Sequence, residues 1–252
     1  MFLELSYSSK ELRMNTHVNV IIPDKKLESG ESYKTLWLFH GLAGDHSSWM
    51  RSSCIERYAN EHGIAVVMPG VGRSWYENTA YGANYFNLVA DELPAMCRGL
   101  FKGMSDRREE NLVGGLSMGG YGALKLALRR PERYYACISL SGALDITRKN
   151  RAYSLEEWRS IFGFDLKNAS ELEGTDSDIF SIVRKNKAEG KPFPKLFMWC
   201  GLEDSLIDAN RDFDSLLTEL SVPHKFTFSE GDHSWKWWDM HIQNGLKYVF
   251  EE

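Results

Sequence analysis

The feature that most limits the fold of this chain is a series of short, almost purely apolar runs, each followed by a loop and an amphipathic stretch. "TLWLFHG" (35–41), "GIAVVMP" (63–69), "NLV" (111–113, read as the end of a strand), "YACISLSG" (135–142) and "KLFMWCG" (195–201) carry no polar alternation. A strand with one face in water alternates, whereas a strand covered on both faces does not. "MNTHVNVIIPD" (14–24) and "HKFTFSE" (224–230) add a strand at each end, after a polar opening and with a turn expected at Ser29–Gly30. Helical spacing follows at Ser47–His62, over "FNLVADELPAMCRGLF" with a disturbance at Pro94, after Ser117, at Ala209–Leu220 and from Trp235 onward. Strands alternating with helices predict an α/β fold, a mostly parallel central sheet with helices on both faces, and 252 residues suit one domain, 1–252.

In such sheets ligands bind in the loops beyond the carboxyl ends of the strands, and three loops carry reactive side chains. Ser117 lies in Gly115-Leu116-Ser117-Met118-Gly119, between a strand and a helix. A sharp turn with small neighbours holds a serine hydroxyl clear of its backbone, and the hydroxyl still needs a base to become a nucleophile. Of seven histidines, His233 in "EGDHSWKWWD" follows the last strand, from where an imidazole can reach across the strand ends. An acid must then orient the imidazole; Asp204 in "WCGLEDSLID" is chosen, with Glu203 the runner-up and Asp208 assigned to the next helix start. Serine, acid, histidine is the chain order of the α/β-hydrolase fold. Backbone N–H groups of Met118 and Leu42 are the expected oxyanion donors, with Gly41 allowing close approach and His40 bonding within its own loop. His46 is read as a loop residue able to approach the pocket, and His17 has no acid or nucleophile in an expected place.

A net charge of −5 without a basic cluster argues against nucleic acid as a partner. No apolar run spans a bilayer, and the opening residues lack the pattern of a secretory signal, so a cytoplasmic protein without membrane association is expected. Cys54, Cys97, Cys137 and Cys200 show no metal-binding spacing. The stretch from about 146 to 194 is longer than a crossover needs and holds a capping box at Ser154 and Glu157, with Trp158, Ile161 and Phe162 on one helical stripe. It is expected either as an extra packed helix or as a cap-like insertion over the site.

"HGLAGDHSSW", "SWYENTAYG", "ELP", "GGLSMGGYGALKLAL", "SLSGALD", "WCGLEDSLIDAN" and "GDHSWKWWD" together resemble the "Putative esterase" family, most of all its bacterial tributyrin and acetyl esterase branch. The family also holds feruloyl esterases, S-formylglutathione hydrolases and mycolyltransferases. The resemblance implies an α/β-hydrolase fold with Ser117 as nucleophile, Asp204 as acid, His233 as base, and Leu42 and Met118 at the oxyanion positions. It further implies chemistry without metal or organic cofactor, a small-molecule ester substrate such as an acetylated sugar, and self-association into a homo-oligomer. Gly41, Trp75 and Trp235 are the candidate substrate-binding residues, while Tyr76, Trp237 and Trp238 are aromatic neighbours. Carboxylester hydrolysis is the leading expectation. A thioester reading would need Arg73, Arg148 or Arg151 for glutathione carboxylates; feruloyl-type hydrolysis, acyl transfer and a non-catalytic scaffold are further alternatives.

Overall fold

The computed structural model describes residues 1–29, 31–148 and 154–250. Strands β1 (Phe2–Ser9) and β2 (Met14–Ile21) form an antiparallel hairpin, and helix α1 (Asp24–Ser29) leads to β3 (Thr35–Phe39). Helices α2 (Ser48–Ser52) and α3 (Ile55–His62) precede β4 (Ala65–Pro69), and α4 (Tyr85–Asn87) and α5 (Leu93–Leu100) precede β5 (Asn111–Leu116). Helix α6 (Met118–Arg129), β6 (Ala136–Leu140), α7 (Leu155–Phe162), α8 (Ile179–Ala188), β7 (Lys195–Gly201), α9 (Ile207–Glu219), β8 (His224–Ser229) and α10 (Trp235–Phe250) complete the chain. The eight strands form one sheet in the order β1-β2-β4-β3-β5-β6-β7-β8. The pairs β1–β2 and β2–β4 are antiparallel, while β4, β3, β5, β6, β7 and β8 run parallel to one another.

The apolar runs serve both faces because successive strand residues point oppositely. Trp37 and Phe39 of β3 pack with α5, α6, α8 and α9, while Leu36 and Leu38 pack with α2, α3 and α10. Every residue of α6 from Met118 to Leu128 is buried, Lys125 included. A charge there requires a partner. Glu77 supplies it as an ion pair, also accepts from the Tyr121 hydroxyl at 3.2 Å, and so ties the loop of Trp75 to α6.

Several local expectations change. The opening residues form β1, whose alternating half-buried side chains suit an edge strand with one packed face, so the polar residues there were its solvent side. Residues 24–29 are helical, and the expected turn lies partly at Gly30, outside the described residues. The Ser47–His62 helix is two helices, interrupted at Ser53 and Cys54, where the Cys54 N–H donates to Asp239 at 2.9 Å. The disturbance at Pro94 is a π turn, Leu88–Glu92, immediately before α5. Proline cannot donate to the carbonyl four residues back; that carbonyl, of Ala90, accepts instead from Arg133 at 3.0 Å. The long segment before β7 contains α8, unforeseen, which packs on α6 and α9 as an ordinary layer helix.

Candidate active site

Strand β5 ends against α6 with no room for side chains at the joint. A Cβ on Gly119 would lie 2.5 Å from the Phe39 carbonyl oxygen, and one on Gly115 would strike the Gly119 carbonyl. Ser117 occupies the turn between them at φ 55°, ψ −121°, a left-handed conformation costly for any residue with a side chain. Its N–H donates to Leu140 at 2.9 Å, while its carbonyl accepts from Tyr121 and Ala143. The backbone is thus held by three bonds, leaving the hydroxyl free to project.

That hydroxyl donates to His233 Nε2 at 3.0 Å, and His233 Nδ1–H donates to Asp204 Oδ2 at 2.8 Å. The Asp204 carboxylate is buried, and its other oxygen accepts from the Leu206 N–H at 2.9 Å. Burial alone would raise the Asp204 pKa; the hydrogen bond and charge of His233, with the Leu206 N–H and the Ser141 hydroxyl, outweigh it and hold the group below the ordinary carboxylate value. Asp204 is therefore an anion at neutral pH, as an acceptor for imidazolium must be. Glu203, the runner-up, serves elsewhere: its Oε2 accepts from the Gly231 N–H at 2.6 Å and ties down the loop that carries His233.

Ser117, Met118, Gly41, Leu42, Trp75, His233 and Trp235 all line one cavity of about 800 Å³. All of the oxyanion and substrate-binding candidates therefore share one space with the Ser117 side chain. Met118 opens α6, so its N–H has no carbonyl four residues back within the helix. The turn that bears Leu42 is fixed by His40, whose Nδ1–H donates to the Gly41 carbonyl at 2.7 Å and whose Nε2 accepts from Val71 at 3.0 Å. Burial lowers the His40 pKa and keeps the ring neutral, the state those two bonds need. His40 thus has the structural role read from the sequence.

The aromatic candidates separate. Trp75, also at positive φ, lines the cavity with its edge against Trp158 of α7 at 5.0 Å, and Trp235 lines it against Trp49 and Trp238. Tyr76 is core, stacked on Phe39 with its hydroxyl donating to the His40 carbonyl, and Trp237 lies over Trp199. Ser154 caps α7 by accepting from the Glu157 N–H at 3.2 Å, and Arg73 makes a two-bond ion pair with Glu157. Among the described residues, none from 154 to 194 lines the cavity; α7 reaches it only through Trp75. Arg148 pairs with Asp145 and Asp212, and Arg151 lies outside the described residues.

Sequence reading missed Ser141 and Arg51. Ser141, at φ 47°, accepts from Trp238 Nε1 at 3.1 Å and supports Asp204, a role visible only once β6 lies beside β7. Arg51 lines the cavity with Asp45, Ser47, Ser48 and Ser52, forming its polar wall. A serine hydroxyl hydrogen-bonded to an imidazole that is in turn held by a buried carboxylate, at the wall of one cavity, is an arrangement that can perform acyl transfer through a covalent serine intermediate.

Comparison with known proteins follows the same lines. The family described as "Putative esterase" matches residues 9–249. An acetyl esterase of Caldicellulosiruptor saccharolyticus is 32% identical over 263 residues, spanning 98% of this chain and 97% of that protein. The substrate-bound fluorophosphonate-binding serine hydrolase FphF of Staphylococcus aureus superposes with a TM-score of 0.91 at 33% identity, covering 100% of this chain and 99% of that one. The apoenzyme of the S-formylglutathione hydrolase FrmB from Staphylococcus aureus gives 0.87 at 33% identity, with 99% and 98% covered.

Proposed function

The chain belongs to the "Putative esterase" family, and from that membership we propose that it is a serine carboxylesterase cleaving short-chain acyl esters, acetylated oligosaccharides among them, through an acyl-enzyme on Ser117. The observation that carries this reading is the continuous hydrogen-bonded line from Ser117 Oγ through His233 to the buried Asp204 at the wall of the cavity. As Ser117 Oγ attacks the ester carbonyl, its proton passes to His233 Nε2. The negative charge forms on the carbonyl oxygen, toward which the Leu42 and Met118 N–H groups donate. His233 then gives the proton to the departing alcohol oxygen, and the acyl group remains on Ser117. Water repeats the sequence: His233 takes its proton, hydroxide adds to the acyl carbon, and the Ser117 oxygen leaves with the proton returned. Asp204 keeps the tautomer and stabilises the imidazolium in both halves.

The similarity to an acetyl esterase supports a small acyl group. Trp235 supplies a flat face for a sugar ring, the nearly buried Trp75 backs the cavity wall, and Ser47, Ser48 and Arg51 supply hydrogen bonds to the sugar hydroxyls. A second reading, with a thiol as leaving group, is favoured by the similarity to an S-formylglutathione hydrolase and by Arg51 on the cavity wall. Against it, Arg73 and Arg148 are already held by carboxylates.

Parallel kcat/KM measurements on an acetylated xylo-oligosaccharide and on S-formylglutathione, with Ser117→Ala as the blank, separate the two. Preference for the sugar ester, with KM raised by Trp235→Ala, supports the carboxylesterase. Preference for the thioester by orders of magnitude, lost in Arg51→Ala, overturns it.

A further inference from the structure

We propose that Glu4, His17 and His46 form a binding site for a divalent transition ion of the zinc class, outside the catalytic cavity. One ligand atom of each of the three lies within 4.8 Å of those of the other two. They come from three separate segments: Glu4 from β1, His17 from β2, and His46 from the loop between β3 and α2. In the hairpin register Glu4 faces Asn19 and His17 faces Ser6, so Glu4 and His17 are diagonal neighbours on one face of the sheet. His46 comes to the same place from above. Its ring stacks on that of His17 with centroids 5.2 Å apart, and its Nε2 lies 3.4 Å from Glu4 Oε1.

Gly70 lies beside both residues. Its N–H donates to the His17 carbonyl, and a Cβ there would sit 3.5 Å from His46 Nδ1.

Two imidazoles and one carboxylate are the donors that borderline ions prefer over calcium or magnesium, which take oxygen alone. Zinc bonds of about 2.0–2.2 Å place ligand atoms about 3.4 Å from one another. Glu4 and His17 are exposed side chains, so small rotations close the present spacing, and water completes the coordination. The ion would join the edge hairpin to the turn 41–48. That turn carries Leu42 and Asp45, both cavity residues, and the Asp45 carboxylate already orders it by accepting from the Ser47 N–H and hydroxyl. Occupancy therefore stabilises the polar wall of the cavity without placing metal at the reacting atoms, and the proposal stands apart from the esterase reading.

The test is calorimetric titration of the chelator-treated protein with Zn2+, beside His17→Ala and Glu4→Gln, with thermal midpoints recorded with and without the ion. Zinc can also meet His233 or the exposed Cys54, so the difference between proteins is what is read. The expected result is one more bound equivalent in the wild type than in His17→Ala, at least tenfold weaker binding in Glu4→Gln, and a zinc-dependent rise in midpoint confined to the wild type. Glu4→Gln keeps the shape of the side chain, and equal midpoints of all three proteins in chelator show that the fold is intact. Equal stoichiometry and affinity in the three proteins, or no uptake by the wild type, overturns the site.

Discussion

Ser117 holds a backbone conformation that only its surroundings can impose, and the reason for bearing that cost is the position of one hydroxyl. If the hydroxyl is the nucleophile, Ser117→Ala lowers kcat by about 10⁴-fold or more while leaving the fold unchanged, and covalent labelling by a fluorophosphonate, read by intact mass, disappears. Asp204→Asn tests a different atom. The amide presents a donor where His233 Nδ1 also donates, so the imidazole adopts the wrong tautomer and kcat falls about 10⁴-fold. That Ser117, Asp204 and His233 would meet was legible because their chemistry is rare in combination and each lies in a loop that follows an expected strand. Ser141 and Glu203 were not legible as supports, since nothing in their types or spacing says which loop they will face.

At the scale of elements, the approach of α6 to β3 sets where the Leu42 and Met118 N–H groups stand. Gly119→Ala would drive a methyl group against the Phe39 and His40 carbonyl oxygens, at 2.5 and 2.6 Å, and main chain cannot rotate aside. The expected loss is about 1–3 kcal/mol by denaturant titration, accompanied by a fall in kcat as the two donors move apart. Helix α7 is a contrasting case, because it reaches the cavity only through the Trp158–Trp75 contact. Removing its cap by Ser154→Ala is expected to weaken α7 by about 1 kcal/mol, seen as faster amide exchange there, with kcat unaltered. Strands were readable wherever both faces are covered. Strand β1 was not, since its solvent side carries the polar residues that elsewhere mark a loop, and α8 was missed within a segment read for its capping box alone.

Across the whole molecule, His241 on α10 couples stability to pH. Burial lowers its pKa from 6.5 to about 4. The ring stacks on Trp199 at 4.1 Å, and its Nδ1 accepts from Asn244, which a protonated ring could no longer do. The unfolded chain therefore binds a proton between those values that the native state refuses, so the His241 contribution to stability falls as pH drops from 6.5 toward 4, by about 3 kcal/mol, and His40 and His62, whose values burial also lowers, add to the same limb. His241→Phe should make that limb shallower in urea midpoints measured across the range, leaving the part that His40 and His62 contribute. Asp204 acts lower. Its depressed carboxyl contributes stability above its ordinary value of 3.8, lost only as pH falls through the depressed one, so Asp204→Asn leaves the His241 limb in place. Among the described residues no helix is long and apolar enough to cross a membrane.

The sequence by itself determined the layered α/β architecture, because burial of a strand on both faces can be read from uninterrupted apolar runs, and it determined which loops carry reactive groups. Only the tertiary structure decided how those loops meet. The 3.0 Å from Ser117 to His233 spans 116 positions of chain, and the pairing of His17 with His46 depends on a hairpin register and a loop from another strand. Local pattern records how each segment meets water and its own neighbours; distances between segments follow from packing of the whole sheet, which no segment contains.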